Sequence, residues 1–194
     1  MLELEPEQRI VFPSCSWDTY ERILADHGDQ SAPRLTYDSG VLEIMSPSPE
    51  HENAAERIKE IVLSACVYFG IGVRLLGSAT QKRVELQKGA EPDSSYSFQG
   101  LNEPDLVVEV EVTRSALDKL SIFGALGIRE VWRYDLRQLA IFLLQGGTYV
   151  RSDRSSFLPL KASEVASRLS LPGDDADWTR NVREWLEGLA AGGS

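Results

Sequence analysis

The run Glu103-Pro104-Asp105-Leu106-Val107-Val108-Glu109-Val110-Glu111-Val112 constrains this chain more than any other stretch. In an extended backbone, Leu106, Val108, Val110 and Val112 share one face, and Asp105, Val107, Glu109 and Glu111 share the other. A strand this apolar belongs inside a sheet, so carboxylates at alternate positions along it need partners. A second acid in similar company, Glu91-Pro92-Asp93, begins twelve residues before Glu103, and Lys119 lies ten residues beyond Glu109. An Asp, a Glu on a hydrophobic strand and a nearby Lys are the minimal equipment for hydrolysing a phosphodiester with Mg²⁺. The carboxylates hold the metal, and the Lys orients or helps deprotonate the attacking water.

At 194 residues the chain suits one domain with a sizeable core, and 42% hydrophobic with 26% charged residues is a globular composition. We expect residues 1–30 to form a helical appendage and 160–194 a terminal helical segment of that single domain. No apolar run approaches the roughly 18 residues of a membrane span, and the first residues lack a signal-peptide pattern, so the expectation is a cytoplasmic protein without a membrane partner. Cys15 and Cys66 show no CxxC or Cys/His spacing, which favours free thiols over a zinc site.

A net charge of −10 argues against nonspecific nucleic-acid binding, which depends on Lys and Arg contacts to phosphate. The charge is uneven, however. Residues 1–52 carry 11 acids and 3 bases, residues 53–90 carry 6 bases and 3 acids, and residues 91–113 carry six acids and no base. The last segment is where a divalent cation most reduces repulsion.

Along the chain, Ser14 or Ser16 caps a helix near Trp17–His27. Residues 34–37 and 41–45 flank the turn Asp38-Ser39-Gly40 as a hairpin, and Ser46-Pro47-Ser48-Pro49 then starts a helix whose apolar residues, Ala54 to Phe69, recur at helical spacing up to Gly70. Strands are expected at 73–77, 82–86, 94–98 and 106–112, and a helix from about Ser115 to Leu126. A hairpin of 130–134 with 139–144 follows, extended by 148–150, then helices at 162–169 and 178–189 and a frayed tail at 190–194. The order is that of an α/β protein with a mixed sheet flanked by helices. No phosphate-binding glycine loop or GxSxG elbow is present.

Several segments match a known family in order: Gly40-Val41-Leu42-Glu43-Ile44-Met45-Ser46-Pro47, Glu50-His51-Glu52, Glu91-Pro92-Asp93, Pro104 to Val110, Asp118-Lys119-Leu120, and Gly127-Ile128-Arg129-Glu130-Val131-Trp132. The chain resembles, over about residues 35–135, the Uma-type family of restriction-endonuclease-like proteins within the PD-(D/E)xK nuclease superfamily. The resemblance implies a restriction-endonuclease-like α/β fold, a central mixed β-sheet with flanking helices, and a Mg²⁺-dependent nuclease site at one sheet edge, with Mn²⁺ as substitute. By position, Pro92-Asp93 fits the family's PD and Glu109 its acidic strand position. The superfamily's strand lysine falls at position 111, where this chain has Glu111, and Lys119 matches the helix lysine that family members carry instead.

Asp93 and Glu109 are therefore the expected metal ligands, with Glu111 as a third. Lys119 is expected to serve the water, and Glu43 and His51 to complete or orient the site, His51 as a neutral imidazole. Each has a plainer reading. Asp93 after Pro92 suits a turn, Glu109 and Glu111 suit a solvated strand face, His51 suits a helix start, and Trp132 and Tyr134 suit a core better than a base-stacking platform. The expected function is metal-dependent hydrolysis of DNA phosphodiesters; the alternative is a catalytically degenerate domain that binds nucleic acid or a protein. A homodimer is a further expectation, with Ile141-Phe142-Leu143-Leu144 as its interface, because four consecutive apolar residues in a strand cannot face one core; a strand buried on both faces is the alternative.

Overall fold

A computed structural model describes residues 7–28, 30–100 and 102–192. Two sheets organise it. Strands β1 (Gln8–Phe12), β2 (Arg34–Asp38), β3 (Val41–Ser46), β5 (Gln81–Arg83) and β6 (Lys88–Ala90) form an antiparallel sheet in the order β1-β3-β2-β6-β5. Strands β4 (Arg74–Gly77), β7 (Ser94–Ser97), β8 (Leu106–Val110), β9 (Glu130–Tyr134), β10 (Leu139–Gln145) and β11 (Thr148–Ser152) form a second sheet in the order β11-β10-β9-β8-β7-β4. This second sheet is mixed: β8 and β9 run parallel and the remaining pairs antiparallel. Parallel neighbours require a crossover. Here α3 (Lys119–Leu126) makes it, and so lands on the sheet face beside β8.

Every residue of β8 is buried, because each face of the mixed sheet is covered. Leu106, Val108 and Val110 enter a large core with Trp132, Tyr134 and the helices α2 (Pro49–Phe69), α4 (Ala162–Leu169) and α5 (Asp175–Gly192). Val107 enters a smaller core on the opposite face, with Val131, Ile122 and Phe123. The alternation read from the sequence thus separates two cores, and Glu109 is the single charged residue of the strand. A third cluster holds Tyr20 of α1 (Trp17–His27) against Leu35, Tyr37 and Leu42 of the antiparallel sheet.

Ser16 and Ser48 cap α1 and α2, and Gly70, in the left-handed region at φ 64°, closes α2. Other elements depart from the sequence reading. Strand β1 was not anticipated; it pairs with β3 from Gln8↔Ser46 to Phe12↔Leu42. The expected strand at 82–86 ends at Arg83 and continues as one 3₁₀ turn, Val84–Leu86, because Gln87 turns the chain at φ 50° into β6. Helix α3 begins at Lys119, not Ser115: Asp118 caps it, and residues 113–116 are held instead by the side chains of Glu7, of Arg9 on β1, of Glu43 on β3 and of Glu111. Ala190 to Gly192 continue α5, where fraying was expected, and Gly193 and Ser194 lie outside the described residues. Of the four apolar residues of β10, Ile141 and Leu143 pack into the large core, Phe142 packs into the small one, and Leu144 is half-buried.

Candidate active site

Strand pairing brings the acids together. Ser94↔Val108 is the last couple between β7 and β8, so Asp93 and Glu109 follow it on opposite sides of the ladder and on the same face. Pro92 cannot extend a central strand, and Asp93 turns its carboxylate back along β8, where Oδ2 accepts from Val110 N–H at 2.7 Å. Helix α3 then lays Lys119 across the same face, with Nζ 2.5 Å from Glu109 Oε2. Asp93, Glu109 and Lys119 converge although they lie far apart in the chain.

The two carboxylates sit in different fields. Burial raises the pKa of Asp93, but His51, Lys119 and Arg34 outweigh it and hold the group below the usual carboxylate range. Arg34 Nε stands 2.8 Å from Asp93 Oδ1. Glu109 is pushed up to about 7, first by burial and then by the charge of Asp93, against the opposing pull of Lys119. Lys119 moves upward: burial disfavours its charge, but Glu109 and Asp93 favour it more. Two neighbouring carboxyls are thus driven apart, a pattern typical of sites that handle protons or cations.

His51 is fully buried in the first turn of α2. Its Nε2 lies 3.2 Å from Asp93 Oδ2 and 3.6 Å from Glu7 Oε1, and Nδ1 lies 3.6 Å from Glu52. Burial alone lowers its pKa, yet Asp93, Glu52 and Glu7 raise it to about 9. At neutral pH this is an imidazolium that stabilises Asp93, and the neutral imidazole expected from the sequence gives way to three surrounding carboxylates.

Glu43 acts on the loop before α3. It accepts from Arg9 Nη1 at 2.7 Å, Ser115 Oγ at 2.8 Å and Ala116 N–H at 2.7 Å. Glu7 accepts from Thr113 N–H and Oγ1, and Arg9 donates to Thr113 O. Glu111 lines the same cavity as Glu109; its Oε1 accepts from Ser115 N–H, and Oε2 stands 3.9 Å from Arg133. Glu91 is a structural fastener, accepting from Leu35 N–H and Thr80 Oγ1. The acid that opens β8, Asp105, binds Arg129 at the other end of the strand.

The site opens into a cavity of about 800 Å³ lined by Arg9, Glu109, Glu111, Arg114, Lys119 and Arg133 among others. Two buried oxygens accept no hydrogen bond from the described residues, Glu109 Oε1 and Asp93 Oδ1, the second ion-paired with Arg34 at 2.8 Å, and carboxylate oxygens are the ligands a hard cation takes. Among the described residues no three His, Cys, Asp or Glu side chains are grouped to chelate a metal. Two carboxylates nonetheless suit Mg²⁺, which keeps several waters and takes its remaining ligands from substrate phosphate.

Sequence reasoning missed Glu7, Arg9, Arg34 and Arg133. The β-branched and aromatic run Ile10-Val11-Phe12 was a legible strand signal, and Arg34 opens a hairpin strand, but the pairing of Arg9 with Glu43 and of Arg34 with Asp93 depends on long-range register. A family model described as "Putative restriction endonuclease" (Uma2) matches residues 17–174. No curated protein matched the chain.

Proposed function

The chain belongs to the Uma2 family, and from that membership we propose that it is a divalent-cation-dependent nuclease hydrolysing DNA phosphodiester bonds at the Asp93, Glu109 and Lys119 centre. One observation carries the reading: Asp93 and Glu109 face each other across β7 and β8, each with a buried oxygen that accepts no hydrogen bond from the described residues, Asp93 Oδ1 being ion-paired with Arg34 at 2.8 Å, and Lys119 Nζ stands 2.5 Å from Glu109. A structural ion pair needs one carboxylate; here there are two, driven to different pKa values beside an open cavity.

Asp93 Oδ1 and Glu109 Oε1 would hold Mg²⁺ or Mn²⁺, which would polarise the phosphoryl oxygen and lower the pKa of its bound water. The chain's own groups do the rest. Val110 N–H, Arg34 and His51 fix Asp93 in its ionised form, so its orientation is set before substrate arrives. Lys119 stays protonated at neutral pH because the neighbouring carboxylates favour its charge. It therefore works as a donor that orients the attacking water and stabilises charge developing on the phosphate, and not as the base. Asp93 and Glu109 are buried beneath the open cavity, and their low-dielectric surroundings strengthen each of these interactions.

Nicking of supercoiled plasmid in Mn²⁺ tests this. Asp93→Asn should abolish cutting, and Lys119→Ala should lower it by about a hundredfold. Asn is chosen because Ala would also leave a void, and near-ultraviolet circular dichroism checks folding. Wild-type cutting by Asp93→Asn would overturn the assignment. The rival reading, a degenerate domain that binds without cutting, is favoured by Glu111 at the strand-lysine position; pure protein that binds DNA but cuts neither strand would establish it.

A further inference from the structure

We propose that Arg133 holds a phosphate of the substrate strand next to the Asp93 and Glu109 pair. The inference rests on the hydrolytic reading above and adds the residue that seats the polyanion. It begins with register. Strands β8 and β9 are parallel with Glu109 opposite Arg133, and Asp93 continues the β7 ladder opposite Glu109. Asp93, Glu109 and Arg133 therefore form a row across three neighbouring strands, on one sheet face, at the roughly 4.8 Å spacing of a sheet. The guanidinium is one strand away from Glu109 and two from Asp93, and it lines the same cavity as Glu109.

The buried cations of the site are committed. Lys119 lies 2.5 Å from Glu109, Arg34 2.8 Å from Asp93, and Arg9 2.7 Å from both Glu7 and Glu43. Arg133 is different. Its Nε stands 3.9 Å from Glu111, longer than a hydrogen bond, and its side chain is 43% exposed. It is not loose, however, because the guanidinium carbon sits 5.1 Å from the ring centre of Phe142 on β10. Stacking on an aromatic face orients the plane and leaves the N–H edges open, and those edges match two phosphate oxygens at once.

Charge supports an anionic occupant. The cavity lining contains four bases (Arg9, Arg114, Lys119, Arg133) and three acids (Glu109, Glu111, Asp118), a local +1 in a chain of net −10. An acidic protein that brings bases together at one cavity favours a polyanion there over its remaining surface. Arg114, exposed on the loop before α3, extends the cationic side of the cavity.

Fluorescence anisotropy of a labelled DNA duplex in Ca²⁺, over a series of salt concentrations, tests the proposal. Wild type, Arg133→Gln, Arg133→Lys and the exposed control Arg137→Gln are compared for binding, melting temperature and plasmid nicking. Arg133→Gln should raise Kd roughly tenfold and lower the salt slope by about one phosphate contact. Arg133→Lys should recover part of the affinity, since it keeps the charge and loses the fork. Melting temperature should fall by no more than a degree or two, because Arg133 contributes a long contact to Glu111 and a half-exposed stack on Phe142, and Arg137→Gln should match wild type. Wild-type affinity and slope in Arg133→Gln, while the wild-type protein binds and cuts, would overturn this inference and leave the nuclease reading intact. Wild-type protein that neither binds nor cuts would overturn that reading and this inference together.

Discussion

Glu43 shows how one side chain can matter without touching the reacting atoms. Its two oxygens take a guanidinium, a hydroxyl and a backbone N–H, and two of those donors belong to the loop that delivers Lys119. A carboxylate accepting charge-assisted bonds in a buried position contributes about 1.5–3 kcal/mol per bond removed. Glu43→Ala should therefore lower unfolding free energy by about 3 kcal/mol in urea titrations, with the loss shared between broken bonds and an Arg9 left with Glu7 as its buried partner. Glu43→Gln keeps the shape and can still accept, so it should cost less than half as much. If both variants unfold at wild-type urea concentrations, Glu43 is not the clasp of this loop.

At the scale of elements, the close approach of α1 to β6 offers a sharp test. A Cβ on Gly89 would meet Tyr20 Oη at 2.3 Å and Cζ at 2.9 Å, and Tyr20 is fully buried, stacked on Tyr37 at 4.9 Å. Gly89→Ala should destabilise by about 1–3 kcal/mol, the cost of overpacking. Tyr20 Oη finds no hydrogen-bond partner among the described residues, so Tyr20→Phe should be neutral or stabilising, and it should soften the Gly89→Ala defect in a double-mutant cycle. Strict additivity of the two substitutions would contradict this packing. The same elements show what could be read from sequence. Capped helices with long periodic faces, such as α2, and the alternating β8 carry their own signals. A three-residue strand such as β6 has no period to read, and its place is set by Tyr37↔Gly89 and Lys82↔Gly89 pairing on both sides. The start of α3 was misplaced because Ser115 looks like a cap in isolation, whereas here its hydroxyl is taken by Glu43 and Asp118 caps instead. Asp93, Glu109, Lys119 and His51 were legible as residue types at family spacing; Arg34 and Arg9 were not, because they reach the site from separate strands through long-range pairing.

At the scale of the whole molecule, three cores leave both thiols inside. Cys15 and Cys66 are buried and unpaired, and burial pushes the Cys66 thiol up to about 11 and that of Cys15 upward as well. A raised thiol pKa means little thiolate at pH 8, and thiolate is the reactive form. Native protein should therefore give no rapid reaction with Ellman's reagent at pH 8, and both thiols should react in guanidinium; a thiol that reacts at once in the native state would mean its core opens. Cation binding is a second global readout. It should raise the melting temperature, by the equivalent of about 2.7 kcal/mol at a free metal concentration 100 times the Kd. Asp93→Asn should remove the shift and Asp18→Ala, in α1, should leave it.

The central claim is that Asp93 and Glu109 form one cation site beside Lys119, and anomalous diffraction from Mn²⁺-soaked crystals tests it most directly. A single anomalous peak should lie between Asp93 Oδ1 and Glu109 Oε1, at metal–oxygen distances close to the 2.0–2.1 Å of Mg²⁺, with Lys119 Nζ shifted off Glu109 toward the cavity. A saturated crystal with no peak between these carboxylates, or with its peak among the acids of residues 1–52, would contradict the account.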